Sequence, residues 1–104
     1  MAQLPKPYRE FQDHFPEVWQ AYDRLGATVH GAGPLDERSR ALVKLAMAIG
    51  AQQEGAVHAH VRKALEAGLS AAEIRHVALL TIPTLGFPAT MAALTWVEDV
   101  LSAD

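Results

Sequence analysis

The chain has 104 residues, of which 50% are apolar and 20% are charged, a balance typical of one globular domain. Nine Lys and Arg against twelve Asp and Glu give a net charge of -3, and no basic run could neutralise several phosphates of a nucleic acid. No apolar stretch approaches the roughly 18 residues of a membrane span, and the start MAQLPKPYREF lacks the apolar core of a signal peptide. We therefore expect a single cytoplasmic domain over residues 1–104, with neither nucleic acid nor membrane as a partner.

The sequence contains no cysteine. Disulfide bonds, cysteine-ligated metals and redox catalysis by the chain's own thiols are therefore excluded. Stability must come from burial, and a small domain rich in alanine with few large aromatic residues has a thin core. This composition favours self-association, so we expect a homo-oligomer.

The first predicted element covers residues 5–25, where apolar side chains recur at spacings of three and four, as on one face of a helix. These side chains are Phe11, Phe15, Val18, Trp19, Tyr22 and Leu25. Pro16 is predicted to start or kink the helix, because proline is tolerated only in a first turn. The glycine-rich segment GATVHGAGP at 26–34 is interpreted as a linker.

Three helices are predicted next, each from a capping signal. Asp36 is predicted to cap a second helix, DERSRALVKLAMAIGAQ. A third helix is predicted to run to about Ala67 and to end at Gly68, a position suited to left-handed backbone. Ser70 and Glu73 have the spacing of a capping box, which predicts the start of a fourth helix.

The last predicted helix is ATMAALTWVEDVLSA, which follows a bend at PTLGFP. No segment shows the alternation typical of a strand. We therefore predict an all-α fold, a single compact domain of about five helices joined by short loops.

The third helix holds the candidate catalytic residues. Turning it at about 100° per residue predicts a buried stripe, formed by Val57, Val61, Ala64 and Leu65. His60 falls within this stripe between Ala56 and Ala64, and His58 falls at its border. An imidazole beside small side chains can transfer protons near neutral pH and leaves room for a substrate. The alternative is a structural histidine that donates to a backbone carbonyl.

His58 and His60 are two residues apart, so they lie about 200° apart around a helix and cannot chelate one ion. The HExxH pattern is also missing, and we predict no metal site. Glu54 precedes His58 by four residues, so it either pairs with His58 or stabilises the helix start through the helix dipole. No GxSxG, P-loop or GxGxxG motif is present, so we expect no nucleotide cofactor.

Residues 35–94 resemble the carboxymuconolactone decarboxylase family, which also contains the alkyl hydroperoxidase D-like proteins. The resemblance is carried by His60, Ala64 and Gly68 within HxxxAxxxG, by Ser70, Glu73 and Ile74, and by the bend at Gly86, Phe87 and Pro88. It implies an all-helical fold that assembles into trimers or hexamers.

The peroxidase branch of that family uses two cysteines, a histidine four residues after the second, and an acidic residue on the preceding helix. By the resemblance, the cysteine positions correspond to Gln53 and Ala56, the acidic position lies near Ala41, and the histidine is His60. Neither Gln nor Ala forms a thiolate, so a thiol peroxidase mechanism is not expected.

The decarboxylase branch acts on a small dicarboxylic lactone without the cysteine pair. The resemblance implies that His60 is the general acid or base and that Glu54 or His58 is its partner. Arg62 or Lys63 would attract a carboxylate only if subunit packing turned them toward a site, and no cluster of cations near His60 is evident from the sequence.

Two hypotheses stay open. One is an enzyme of decarboxylase-like or isomerase-like acid-base type that acts on a small carboxylate or lactone through His60. The other is a non-catalytic oligomeric protein with a ligand-binding or accessory role. A peroxidase that borrows the thiols of a partner protein is the least favoured reading.

Overall fold

A computed structural model describes residues 4–103 of the chain, and these residues form helices and no strand. The helices are α1 (Lys6–His14), α2 (Pro16–His30), α3 (Glu37–Gly50), α4 (Glu54–Glu66), α5 (Ala71–Leu79), α6 (Ile82–Leu85) and α7 (Phe87–Leu101). The prediction of an all-α fold is confirmed. The helices outnumber the predicted five because α1 and α2 are separate and the bend before α7 contains the short α6.

The chain divides into two compact units, one ending at Pro34 and the other spanning Leu35–Ala103. A single domain therefore stays a prediction. In the first unit, α1 ends at His14 and Pro16 begins α2, as expected for a proline that is harmless in a first turn. Neither helix contains a buried residue. The rings of Tyr8 and Trp19 meet edge to face, with centroids 5.3 Å apart.

The predicted linker at 26–34 is shorter than expected. Helix α2 continues to His30, so the first half of that segment is helical and the prediction was wrong there. A single glycine inside a helix costs only about 1 kcal/mol, and Gly26 is therefore not enough to end α2.

The second unit begins with two of the predicted capping signals. The Asp36 carboxylate accepts a hydrogen bond of 2.8 Å from the Ser39 amide and caps α3. Ser70 and Glu73 form the complete capping box of α5. Between them, Gly68 follows α4 with a φ of +93°, which is the left-handed conformation that glycine adopts at no steric cost.

The segment from Thr81 to Thr90 joins α5 to α7. Pro83 lies in the first turn of α6, where its missing amide proton is not needed. Gly86 then turns the chain with a φ of +98°. The buried Thr90 hydroxyl lies 2.7 Å from the Thr81 hydroxyl and 3.0 Å from the Gly86 carbonyl oxygen, and these contacts hold the turn against α7.

Helix α4 is central in the second unit because it packs against both α3 and α7. The core consists of Leu45, Ala48, Ile49, Val57, Val61, Ala64, Leu69, Ile74, Ala78, Ala93 and Val97. Three of the four residues of the predicted stripe on α4 are buried, but Leu65 is 41% exposed, since it lies at the edge of the stripe. None of the described helices is both long and apolar enough to cross a bilayer.

Candidate functional site

The side of α4 that carries His58 faces α7. His58 Nε2 lies 3.0 Å from Asp99 Oδ2, although the two residues are 41 positions apart in the chain. The flanking Val57 on α4 and Val97 on α7 are fully buried, so the backbone on both sides of this contact is held by the core. The His58 side chain is 24% exposed and therefore reachable from solvent.

Glu54 belongs to the same cluster. Its Oε2 atom lies 4.0 Å from His58 Nε2, one helical turn away, and its carboxylate also lies in the first turn of α4, where the helix dipole favours negative charge. The two predicted roles of Glu54 are thus compatible. The ligand-type atoms of Glu54, His58 and Asp99 all lie within 4.8 Å of one another, and we call these three residues the acidic cluster.

His60 is not part of the acidic cluster. It follows His58 by two residues in a regular helix, so its side chain leaves α4 about 200° further around the axis. His60 is partly exposed, with the partly buried Ala56 and the buried Ala64 one turn to either side. It interacts with another group of the protein. The three predicted catalytic residues are therefore divided between two sides of α4.

A group of cations spans α3 and α4. Lys44 is partly buried on α3, and this burial lowers the pKa of its ammonium group. The positive charges of Lys63 on α4 and of Arg40 on α3 lower the same pKa further. We call Arg40, Lys44 and Lys63 the cationic group. Lys63 follows His60 by three residues, so the two side chains lie on the same side of α4.

Both Asp99 and Lys44 were missed by reasoning from the sequence. Asp99 lies next to His58 of α4, and the pKa of Lys44 is affected by Lys63 of α4. The spacing of residues within one helix cannot predict a neighbour on another helix. The expectation that no cluster of cations lies near His60 considered only Arg62 and Lys63 on α4, and it stays a prediction. The charge of Lys63 on α4 and the charge of Arg40 on α3 both act on Lys44.

The other ion pairs of this unit serve the fold. Arg38 donates to Glu73 at 2.5 Å and Arg75 donates to Glu98 at 2.5 Å. The pKa of Glu73 is lowered by the Ser70 amide and then by Arg38, and that of Glu98 is lowered chiefly by Arg75. These carboxylates are neutralised by arginines, whereas the two carboxylates of the acidic cluster both face one imidazole.

Comparison with known proteins identifies the relatives of this chain. Residues 16–99 match the Carboxymuconolactone decarboxylase family. A protein of Haemophilus influenzae described as "Uncharacterized protein" is 34% identical over 63 residues. These residues cover 61% of this chain and 56% of that protein, so the match spans little more than half of the relative's length.

No solved structure matches the chain. The family match begins earlier than the resemblance at residues 35–94, and it includes all of α2 and most of α7. It therefore covers most of the chain and every residue of the acidic cluster and the cationic group. The chain belongs to the carboxymuconolactone decarboxylase family.

Proposed function

We propose that this protein catalyses acid-base chemistry on a small carboxylate or lactone, with His60 transferring the proton. The cationic group attracts the carboxylate of the substrate. The observation that carries this proposal is the environment of Lys44, a partly buried ammonium group beside two further cations.

Lys44 is better suited to bind an anion than to stabilise the fold. Burial and neighbouring positive charge make its charged form costly, as the lowered pKa indicates. A bound carboxylate would offset both effects, because a negative charge near Lys44 favours its charged form. A partly buried lysine flanked by like charges is a common feature of functional sites.

His60 is suited to proton transfer by its position. It is partly exposed, so a substrate can reach the imidazole, and the residues one turn to either side are the small Ala56 and Ala64. Lys63 lies on the same side of α4. A carboxylate attracted by Lys63 and Lys44 would therefore be drawn toward the side of the helix that carries His60.

The expected chemistry requires one proton donor. When a carboxylate is lost as carbon dioxide, the electron pair of the broken bond stays on the substrate and must be protonated. Protonated His60 supplies that proton and then takes a new one from solvent. A peroxidase reaction by this chain's own thiols is not proposed, because the sequence has no cysteine.

Turnover of an unsaturated lactone that bears a carboxylate, followed by its ultraviolet absorbance, tests the proposal. His60→Gln should lower kcat by roughly 100-fold or more, in line with the loss of a general acid. Lys44→Met should mainly raise KM. Lys6→Met, which removes a 79% exposed lysine from α1, is the matched control and should change neither constant.

Unchanged turnover in His60→Gln would remove His60 from the mechanism. An equal rise in KM for Lys44→Met and Lys6→Met would mean that Lys44 contributes only to the overall charge of the protein and does not bind the substrate. Where no substrate is turned over, a thermal shift screen of small carboxylates and lactones still tests binding, since a ligand of the folded state raises its apparent stability.

The second candidate function is a non-catalytic oligomeric protein. It is favoured by one specific observation, an exposed apolar face that begins at Phe15, directly before α2, and continues along α2 with Val18, Tyr22, Leu25 and Val29, each more than half exposed. An apolar face of this kind is typical of an interface between proteins. Oligomer mass from light scattering, measured beside turnover, separates the two: a stable oligomer without turnover of any lactone would favour this second function.

A further inference from the structure

The acidic cluster unites three side chains of metal-binding type from two helices. Glu54 and His58 are separated by one turn of α4, and Asp99 comes from α7. The distances from His58 Nε2 are 3.0 Å to Asp99 Oδ2 and 4.0 Å to Glu54 Oε2. The sequence predicted no metal site because the two histidines cannot chelate one ion and the HExxH pattern is missing, and Asp99 gave no signal in the sequence.

We propose that Glu54, His58 and Asp99 bind a divalent transition-metal ion, with zinc as the reference case. One imidazole nitrogen and two carboxylate oxygens are a donor set that zinc accepts, and three protein ligands leave a position for water or a small ligand. The inference is independent of the proposed function, because it concerns the other side of α4 from His60.

The separations fit a coordination shell. Zinc lies roughly 2.0–2.2 Å from nitrogen and oxygen ligands, so neighbouring ligand atoms of a tetrahedral shell are about 3.3–3.6 Å apart. The pair of His58 and Asp99 is slightly closer than this and the pair of His58 and Glu54 slightly wider. Glu54 is 60% exposed, so a rotation of its side chain can close the remaining gap.

The charge of the cluster also fits a divalent ion. Two carboxylates and a neutral imidazole carry two negative charges, which a divalent cation balances. Elsewhere in the described part of this unit, Glu73 and Glu98 each meet an arginine. In the acidic cluster both carboxylates instead face a single histidine, which offsets at most one of the two charges.

The backbone around the cluster is anchored in the core, which favours a preorganised site. Val57 precedes His58 and Val97 lies two residues before Asp99, and both valines are fully buried. Helices fix ligand positions better than loops do. Asp99 also lines an open depression along α7 together with Met91, Leu94 and Thr95, so water or a small ligand could complete the shell from that side.

Calorimetric titration of the full chain with zinc chloride, after removal of metals with a chelator, tests the proposal. We expect one zinc ion per chain and a rise in Tm with added zinc. Loss of a direct ligand should weaken binding at least as much as loss of an outer-shell partner, which costs roughly 10–100-fold. His58→Gln and Asp99→Asn should therefore each weaken zinc binding by about tenfold or more.

Two matched controls exclude zinc held by unrelated surface residues. His76→Gln removes an exposed histidine from α5 and Asp13→Asn removes an exposed carboxylate from α1, and neither should change zinc affinity. Cobalt absorption spectra of the same variants report the ligands directly and should change only in His58→Gln and Asp99→Asn. Circular dichroism checks that all variants are folded.

Two results would overturn the proposal. One is the absence of a saturable zinc site in the unmodified protein. The other is zinc affinity and a cobalt spectrum that are the same in His58→Gln, Asp99→Asn and the unmodified protein, because the ion would then be bound elsewhere. In that case the acidic cluster is a charge pair between a protonated histidine and two carboxylates.

Discussion

The two sides of α4 carry groups of opposite charge. Toward α3, the cationic group gathers positive charge on the side of His60, and toward α7 the acidic cluster gathers negative charge around His58. The histidines are only two positions apart, but a step of two residues turns a helix by about 200°. The difference shows that adjacent histidines in one motif need not share a site, and that the neighbouring helices decide what each can do.

Removal of a core side chain that packs beneath α4 should have the largest effect on stability. Leu45 on α3 is fully buried, and Leu45→Ala should lower the free energy of unfolding by about 2–5 kcal/mol. This loss should loosen the packing of α3 on α4. It should therefore weaken carboxylate binding by the cationic group more than metal binding by the acidic cluster. Urea denaturation measures the effect.

Val43→Ala is the matched control for Leu45→Ala. Val43 lies on the same helix but is 45% exposed, so its truncation should cost roughly 0.5 kcal/mol or less. Equal costs for the two variants would mean that α3 does not pack as described.

The capping box of α5 should have the next largest effect. Helix α5 packs against α7, which carries Asp99. Ser70→Ala removes the hydroxyl that accepts a hydrogen bond from the Glu73 amide, and we expect a loss of about 1 kcal/mol in the free energy of unfolding. Thermal unfolding measures it. Ser102→Ala, at the exposed end of α7, should leave Tm nearly unchanged, and an equal fall in both variants would contradict the role of the cap.

Lys44 should show opposite effects on stability and on anion binding. Its lowered pKa means that the folded state binds a proton less readily than the unfolded state does, so the charge on Lys44 destabilises the fold at neutral pH. Lys44→Met should therefore raise Tm at pH 7 while weakening the binding of small carboxylates. This combination is typical of a residue kept for function.

The effect of Lys44→Met on Tm should depend on pH in a defined direction. The destabilisation by Lys44 is fully present below its folded pKa and disappears as the pH rises toward 10.5, the ordinary value for lysine. The difference in Tm between Lys44→Met and the unmodified protein should shrink over this range. A lower Tm in Lys44→Met at pH 7 would show that the ammonium group stabilises the fold instead.

The loss of the Glu98 charge at acidic pH should have the smallest effect on Tm. The lowered pKa of Glu98 arises first from its hydrogen bond with Arg75. Its contribution to stability is therefore present above 4.5, the ordinary value for glutamate, and is lost as the pH falls through the lowered pKa. Glu98→Gln should reduce Tm slightly at pH 7 and not at the lowest pH. A constant difference across this range would contradict the assignment.

Local signals in the sequence were sufficient to predict much of the helical structure. The Ser70 and Glu73 spacing, Gly68 and Pro16 each act within one helical turn, and each prediction was confirmed. One local prediction was wrong because a glycine signal was given too much weight: Gly26 does not end α2. The predicted bend before α7 is present at Gly86, and it is preceded by the short α6, which was not predicted.

The candidate site could be predicted only in part. Glu54 and His58 are close because a helix brings every fourth residue to the same face. Asp99 approaches them only through the packing of α7 on α4, and the charge of Lys63 acts on Lys44 only because α3 packs on α4. Contacts of this kind leave no periodic trace in a single sequence.

Zinc titration of His60→Gln beside His58→Gln tests the separation of the two sides most directly, and it needs no knowledge of the substrate. We predict that His60→Gln binds one zinc ion with the affinity of the unmodified protein and that His58→Gln binds it at least about tenfold more weakly. An equal loss of affinity in both variants would contradict the account, because both histidines would then belong to one site.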